Sequence, residues 1–241
     1  MRDAMIFICA AVVLTMFLCA PARPAVAAAE KTGVIVVDVQ GDFTTWKNGS
    51  LAVNGADEAY VKKVADATGL LKQAGFVVYA TQDWHPQNHI SFASNHPGKK
   101  PFEVIRIDNR TQVLWPDHCV KGTDGAKVLL DNNMFQAIVK KGQDPRFDSY
   151  SGFQDDGGSK TGMDDILKAA GIKKLVIYGL ATDYCVSATA MDAAANGYKV
   201  VVIEDLSKGV APDTSAKAIE AMKAKDIQIL KEIDIKKIND L

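Results

Sequence analysis

Residues able to hold a metal crowd into one short stretch of this 241-residue chain, whose four histidines are His85, His89, His96 and His118. Two of them fall in DWHPQNH at 83–89, and a third closes WPDH at 115–118. One carboxylate and three imidazoles suit zinc, iron or manganese better than calcium or magnesium, which take oxygen shells. The spacing D-x-H-x3-H is unspecific alone, because a lone D-x-H is an ordinary loop pattern. Its position just past an apolar run, with His118 added, makes Asp83, His85, His89 and His118 a candidate centre for one divalent ion. His96, beside Pro97, Gly98 and two lysines, reads as an exposed loop residue and stays outside the set.

Cys185 offers a second chemistry. KLVIYGLATDYCV at 174–186 reads as a strand, a short turn and the start of a helix. A cysteine in a first helical turn meets unpaired N–H groups and the positive end of the dipole. Both favour a thiolate, and the same amides could hold a developing oxyanion. A small buried packing role is the alternative. Lys141 leaves the end of another apolar run and could stabilise a nearby thiolate, although such lysines are more often solvated and Lys140 competes for the role. Asp38 follows VIVV at 34–37, so desolvation should lift its pKa towards a general base's range; turn formation before Gly41 is the alternative. A nucleophile, a base and a cation are the set that covalent amide hydrolysis needs.

For these groups to meet, distant segments must be brought together. β-branched runs at 33–38, 76–81, 137–140, 174–178, 199–203 and 227–230 read as strands. Helical patterns fit between them at 54–74, with Asn54 as cap, and at 163–170, 184–196 and 214–223. Near-continuous apolar strands alternating with helices predict an α/β fold: a three-layer α/β/α sandwich around a mainly parallel sheet of about six strands. Sites in such sheets lie beyond the carboxyl ends of the strands, where Asp38, Asp83, Lys141 and the segment before Cys185 fall. The stretch 84–125 reads as loop, with prolines at 86, 97, 101 and 116, and a loop of that length is usually functional or disordered.

Residues 1–29 follow another pattern. Arg2, an apolar run at 5–20 and the string AVAAA at 25–29 have the order of a secretory signal peptide, with cleavage expected after Ala27 or Ala29. The run is shorter than the roughly 20 residues that span a bilayer. The expected product is exported, periplasmic or secreted, without stable membrane association, and residues 30–241 form its one domain. Cys9 and Cys19 leave with the signal, and Cys119 with Cys185 makes no disulfide framework. A net charge of -1 gives no basic field for nucleic acid, so no nucleic-acid partner is expected.

Five motifs, VIVVDVQGDF, TQDWHPQNHISF, WPDHCVKGTDGA, VKKGQDPRFDSYSGF and GLATDYCVSATAMDAAANGY, occur in this order over residues 34–210. Together they resemble the nicotinamidase/pyrazinamidase branch of the isochorismatase-like cysteine hydrolases. The resemblance implies an amidohydrolase of NAD salvage that turns nicotinamide, and the near-isosteric pyrazinamide, into the acid and ammonia through a thioester. It implies a triad of Asp38, Lys141 and Cys185, and one divalent metal ion, zinc before iron or manganese, on Asp83, His85, His89 and His118. It further implies a cis bond between Leu180 and Ala181, which aims the amides of Ala181 and Cys185 into an oxyanion hole. Phe43 and Trp115 would contact the pyridine ring, with Tyr184 or Tyr150 beside them. A homo-oligomer is compatible with this reading.

Two rivals remain. A sister hydrolase acting on a carbamoyl or ureido substrate would share Asp38, Lys141 and Cys185 but have no evident use for the metal donors. A non-catalytic metal- or pyridine-binding protein would bind without turnover.

Overall fold

The computed structural model describes residues 30–241, so the signal-peptide reading lies outside the described residues. Strands β1 (Lys31–Val37) and β2 (Val77–Asp83) are followed by a separate hairpin of β3 (Val104–Ile107) and β4 (Arg110–Val113). Then come β5 (Ala137–Lys141), β6 (Ile172–Gly179), β7 (Lys199–Ile203) and β8 (Gln228–Leu230). Six of them form one sheet in the order β5-β2-β1-β6-β7-β8, and every pairing in it is parallel. The helices are α1 (Glu58–Gln73), α2 (Met163–Ala169), α3 (Ser187–Ala195), α4 (Pro212–Lys223) and α5 (Ile235–Asn239). No helix among the described residues is long and apolar enough to cross a membrane.

Strand side chains alternate between the two faces, so β1 feeds two cores. Val34 and Val36 join Tyr60, Val61, Val64 and Leu71 of α1 and Ile238 of α5 on one side. Ile35 and Val37 join Met163 and Leu167 of α2, Ala190 and Ala193 of α3 and Met222 of α4 on the other. Because both faces are covered, the central strands are apolar throughout, and the three-layer α/β/α sandwich expected from the sequence is what forms.

The boundaries differ in places. Asp57, not Asn54, caps α1, accepting the Tyr60 N–H at 2.8 Å; Asn54 precedes Gly55, whose φ of 75° turns the chain before the helix can start. Pro212 opens α4 two residues before the expected Thr214, since its missing N–H costs nothing at a first helical position. The expected loop at 84–125 contains the β3–β4 hairpin, turned by Asp108 and Asn109 at φ 46° and 65°. Asp and Asn tolerate that left-handed conformation.

Candidate functional site

The sheet order decides which residues meet. Lys141 ends β5, Asp83 ends β2, Asp38 follows β1, and Cys185 lies beyond the end of β6. Asp83 and Lys141 are register partners, and Val37 pairs with Gly179. The backbone passes closest at Gly179: a Cβ there would stand 2.1 Å from the Val37 carbonyl, so only glycine fits. The Leu180–Ala181 peptide that follows is cis. Cys185 sits in a π-helical turn, Thr182–Val186, and α3 starts only at Ser187. The helix expected from 184 thus begins with a wider turn, closed by the Tyr184 and Val186 N–H groups donating to the Ala181 carbonyl at 3.1 Å.

Asp38, Lys141 and Cys185 come together in the interior. The Lys141 side chain is fully buried; its Nζ lies 2.9 Å from Asp38 Oδ2 and 3.4 Å from Cys185 Sγ. It also donates to Asp83 Oδ1 and to the Ser149 carbonyl. Lys140, the competing lysine, points away over the Trp84 ring. Asp38 adopts a left-handed φ of 46° and is fixed by Thr81, whose hydroxyl donates to Oδ1 at 2.6 Å and accepts the Asp38 N–H at 3.2 Å. A strained backbone at such a place is held by its surroundings.

Burial pushes the Asp38 carboxyl up, with Lys141 pulling it back and Asp83 adding to the rise. Burial opposes the charge on Lys141, but Asp38 and Asp83 outweigh it and hold the ammonium well above the ordinary lysine range. Burial also pushes the Cys185 thiol well up, against the opposite pull of Lys141. These influences favour the thiol form of Cys185. An Asp38 carboxylate oxygen and the sulfur lie within 4.8 Å of each other.

Asp83, His85 and His118 fit one divalent ion. One donor atom from each lies within 4.8 Å of the others. His85 Nδ1 donates to the Gly142 carbonyl at 2.9 Å and His118 Nδ1 to the Pro116 carbonyl at 2.8 Å. This leaves each Nε2 lone pair facing Asp83 Oδ2, at 3.4 and 4.0 Å. Fixing one ring nitrogen to orient the other is how proteins present imidazole to metals. Burial, then repulsion from His85, lowers His118 to about 4, keeping it in the neutral, ligating form. Burial opposes protonation of His85, but Asp83 outweighs it and raises that imidazole. Gly142 has to be glycine, because at φ 65° a Cβ would stand 2.2 Å from the His85 ring. The structure does not bring His89 into this group. Its ring lies against His85 at 4.2 Å, with Nδ1 2.8 Å from Ser91 Oγ and Nε2 3.1 Å from the Phe147 carbonyl.

A small cavity opens onto Cys185, Asp83, His118 and Ala181. Phe43, Trp115, Tyr150 and Tyr184 line it. Trp115 meets Tyr184 edge-on at 5.1 Å and donates its Nε1–H to the Tyr150 hydroxyl at 3.2 Å. Phe43 packs against the His118 ring at 5.4 Å. The arrangement suits a flat ring presented edge-on to a metal and a thiol.

Two positioning residues escape the sequence. Gln40 clamps Asp83 from both sides, its Nε2 donating to the Asp83 carbonyl and its Oε1 accepting the Asp83 N–H, at 2.9 and 2.8 Å. Asp42 Oδ2 accepts the N–H of Cys119 at 2.7 Å, tying the loop that carries His118 to the loop that carries Phe43. Both lie in VIVVDVQGDF, but nothing in that string shows their partners 43 and 77 residues away.

A model of the isochorismatase domain matches residues 32–231. A nicotinamidase of Acinetobacter baylyi is 44% identical over 185 residues, covering 76% of this chain and 83% of that protein. A solved nicotinamidase–pyrazinamidase structure from Acinetobacter baumanii superposes with a TM-score of 0.75 at 40% identity, covering 83% of this chain and 96% of the other. The pyrazinamidase of Pyrococcus horikoshii, solved in complex with zinc, gives 0.71 at 35% identity, covering 84% and 99%. On the matched domain, these likenesses and the shared fold, the chain belongs to the isochorismatase-domain family, in its nicotinamidase–pyrazinamidase branch.

Proposed function

We propose that this protein hydrolyses nicotinamide to nicotinic acid and ammonia, in salvage of NAD, and accepts pyrazinamide as well. The observation that carries the reading is the buried contact of Lys141 with Asp38, Asp83 and Cys185 at the floor of an aromatic cavity.

Phe43, Trp115 and Tyr184 hold the ring, and the carboxamide carbon faces Sγ of Cys185. Asp38 takes the thiol proton while Lys141 holds the emerging charge. Sulfur attacks the carbon, and the amides of Ala181 and Cys185 take the oxyanion. Asp38 returns its proton to the nitrogen, the C–N bond breaks and ammonia leaves a thioester. Water then attacks the thioester carbon with Asp38 taking its proton; the acid departs and the proton returns to sulfur. Asp83, His85 and His118 would hold one divalent ion, zinc first given the Pyrococcus relative; when bound, it supplies a Lewis acid for the ring nitrogen and for water. A slot of apolar walls discriminates weakly between pyridine and pyrazine rings. The apolar run at 5–20 and the AVAAA string support export, with residues 30–241 as the mature domain.

The test is ammonia release from nicotinamide by residues 30–241, with and without chelator, alongside Cys185→Ala. Turnover lost on chelation, restored by zinc and absent in the variant is expected. Normal turnover in the variant would defeat the reading. Activity confined to the cytosol of the native cell would defeat the export proposal alone.

A further inference from the structure

Buried hydroxyls are almost always hydrogen-bonded, and an unpaired one beside a cavity asks for an occupant. Ser149 is 2% exposed and lines the cavity that holds Cys185, Asp83 and His118. Its backbone is fully engaged: the N–H donates to Asp148 Oδ1 at 2.9 Å, and the carbonyl accepts Lys141 Nζ at 2.8 Å. Asp148 is itself held by Gln112 Nε2 at 2.9 Å. The residue is thus fixed on both sides, yet its Oγ has no hydrogen-bond partner. Nothing in the backbone or the neighbouring loop calls for a hydroxyl here; an alanine would keep every bond named above.

We infer that Ser149 is a substrate-contacting residue whose Oγ accepts a hydrogen bond from the NH₂ of the bound carboxamide. The assignment rests on the hydrolysis proposed above, and its chemistry follows from what else surrounds the reacting carbon. The carboxamide oxygen is directed to the N–H groups of Ala181 and Cys185, so the NH₂ faces away from them. Lys141 is a pure donor and cannot take an N–H. Asp38 Oδ1 takes the Thr81 hydroxyl, and Oδ2, ion-paired with Lys141, is the base that receives the thiol proton in the proposed reaction. Ser149, whose carbonyl takes the Lys141 ammonium and which lines the same cavity, carries a hydroxyl that can accept. Its contact would fix the rotation of the carboxamide about the ring bond, so that carbon rather than nitrogen meets the sulfur.

Such a bond exists in the bound ground state and is retained as the carbon is attacked, so its loss raises KM and leaves kcat nearly alone. For Ser149→Ala, KM for nicotinamide should rise about tenfold, equivalent to about 1.4 kcal/mol, with kcat within about twofold. The melting temperature of the ligand-free variant should hold or rise, because an unpaired hydroxyl is being removed. Pyridine-3-carbaldehyde is the control. It lacks the NH₂, and it inhibits by adding the thiol to its carbonyl, the S–C bond forming as the proton passes to oxygen. Its inhibition constant should be the same for both proteins. An unchanged KM overturns the inference, as does equal weakening of amide and aldehyde, or a KM rise that comes with a fall in melting temperature. If the unmodified protein releases no ammonia, the proposed function fails first; if it turns over and the variant matches it, only Ser149 is reassigned.

Discussion

Asp83 divides its carboxylate between two partners: Oδ1 meets the Lys141 ammonium, while Oδ2 faces the Nε2 atoms of His85 and His118 at 3.4 and 4.0 Å. Burial works against the charged form, but Lys141 and His85 outweigh it and hold the carboxyl far below the usual range. One side chain therefore joins His85 and His118 to the buried lysine. Asp83→Asn should lower zinc affinity at least about hundredfold and cut turnover with it, read as metal retained after dialysis and as ammonia released. Full zinc retention would remove Asp83 from the donor set.

Lys141 is the positive charge between two buried carboxylates. Removing one partner of a buried ion pair costs more than the pair contributes, because a charge is left without compensation. Lys141→Met should therefore lose roughly 3–5 kcal/mol of stability in urea unfolding, as well as activity. A variant as stable as the parent would mean that solvent reaches these carboxylates.

Asp42 acts through the chain rather than on the substrate. Asp42→Ala leaves the Cys119 N–H unpaired, at a residue whose φ is 46°, and frees the His118 loop to shift. A hydrogen bond to a charged group contributes about 1.5–3 kcal/mol, so zinc affinity should fall by about tenfold or more while helix content by circular dichroism stays unchanged. Unaltered zinc affinity would show that Pro116 and Phe43 hold His118 without help.

Stability should also respond to pH through Asp156, which burial and then repulsion from Asp148 raise to about 6. A carboxyl whose pKa is higher folded than unfolded favours folding below about pH 4, and that contribution is lost as pH rises through about 6. The residue is exposed at the surface, so solvent screening limits the effect to about 1 kcal/mol or less. Asp156→Asn should match the parent near pH 4 and exceed it in urea unfolding at pH 8. Equal stability at pH 8 would place this carboxyl in ordinary solvent.

The sheet and the residues gathered at its strand ends are legible because β-branched runs ending in Asp38, Asp83 and Lys141 carry both strand signal and titratable side chains in adjacent letters. The β3–β4 hairpin was readable too, since Asp108-Asn109 between short alternating runs is a turn signal, but the surrounding prolines mask it. His89 shows the limit of spacing arguments. D-x-H-x3-H brings the ring close to His85, yet both its nitrogens find partners in Ser91 and Phe147, and those partners depend on tertiary packing. Gln40, Asp42 and Ser149 act through residues that are distant in the chain or through bonds they do not make, and neither leaves a local mark.

The row Lys141, Asp83, Asp38, Cys185 follows the strand order β5-β2-β1-β6: Lys141 and Asp83 end their strands, Asp38 follows β1, and Cys185 stands in the turn beyond β6. Adjacent strands are spaced about 4.8 Å apart, and a one-residue slip turns a side chain to the opposite face. A single codon inserted in β5, β2 or β1 would therefore send Lys141, Asp83 or Asp38 towards a helix-covered core. The same insertion at the exposed Asp108-Asn109 tip of the β3–β4 hairpin would only lengthen a path over the surface. Chain length is free to change at such a tip, while the strands are fixed to the residue.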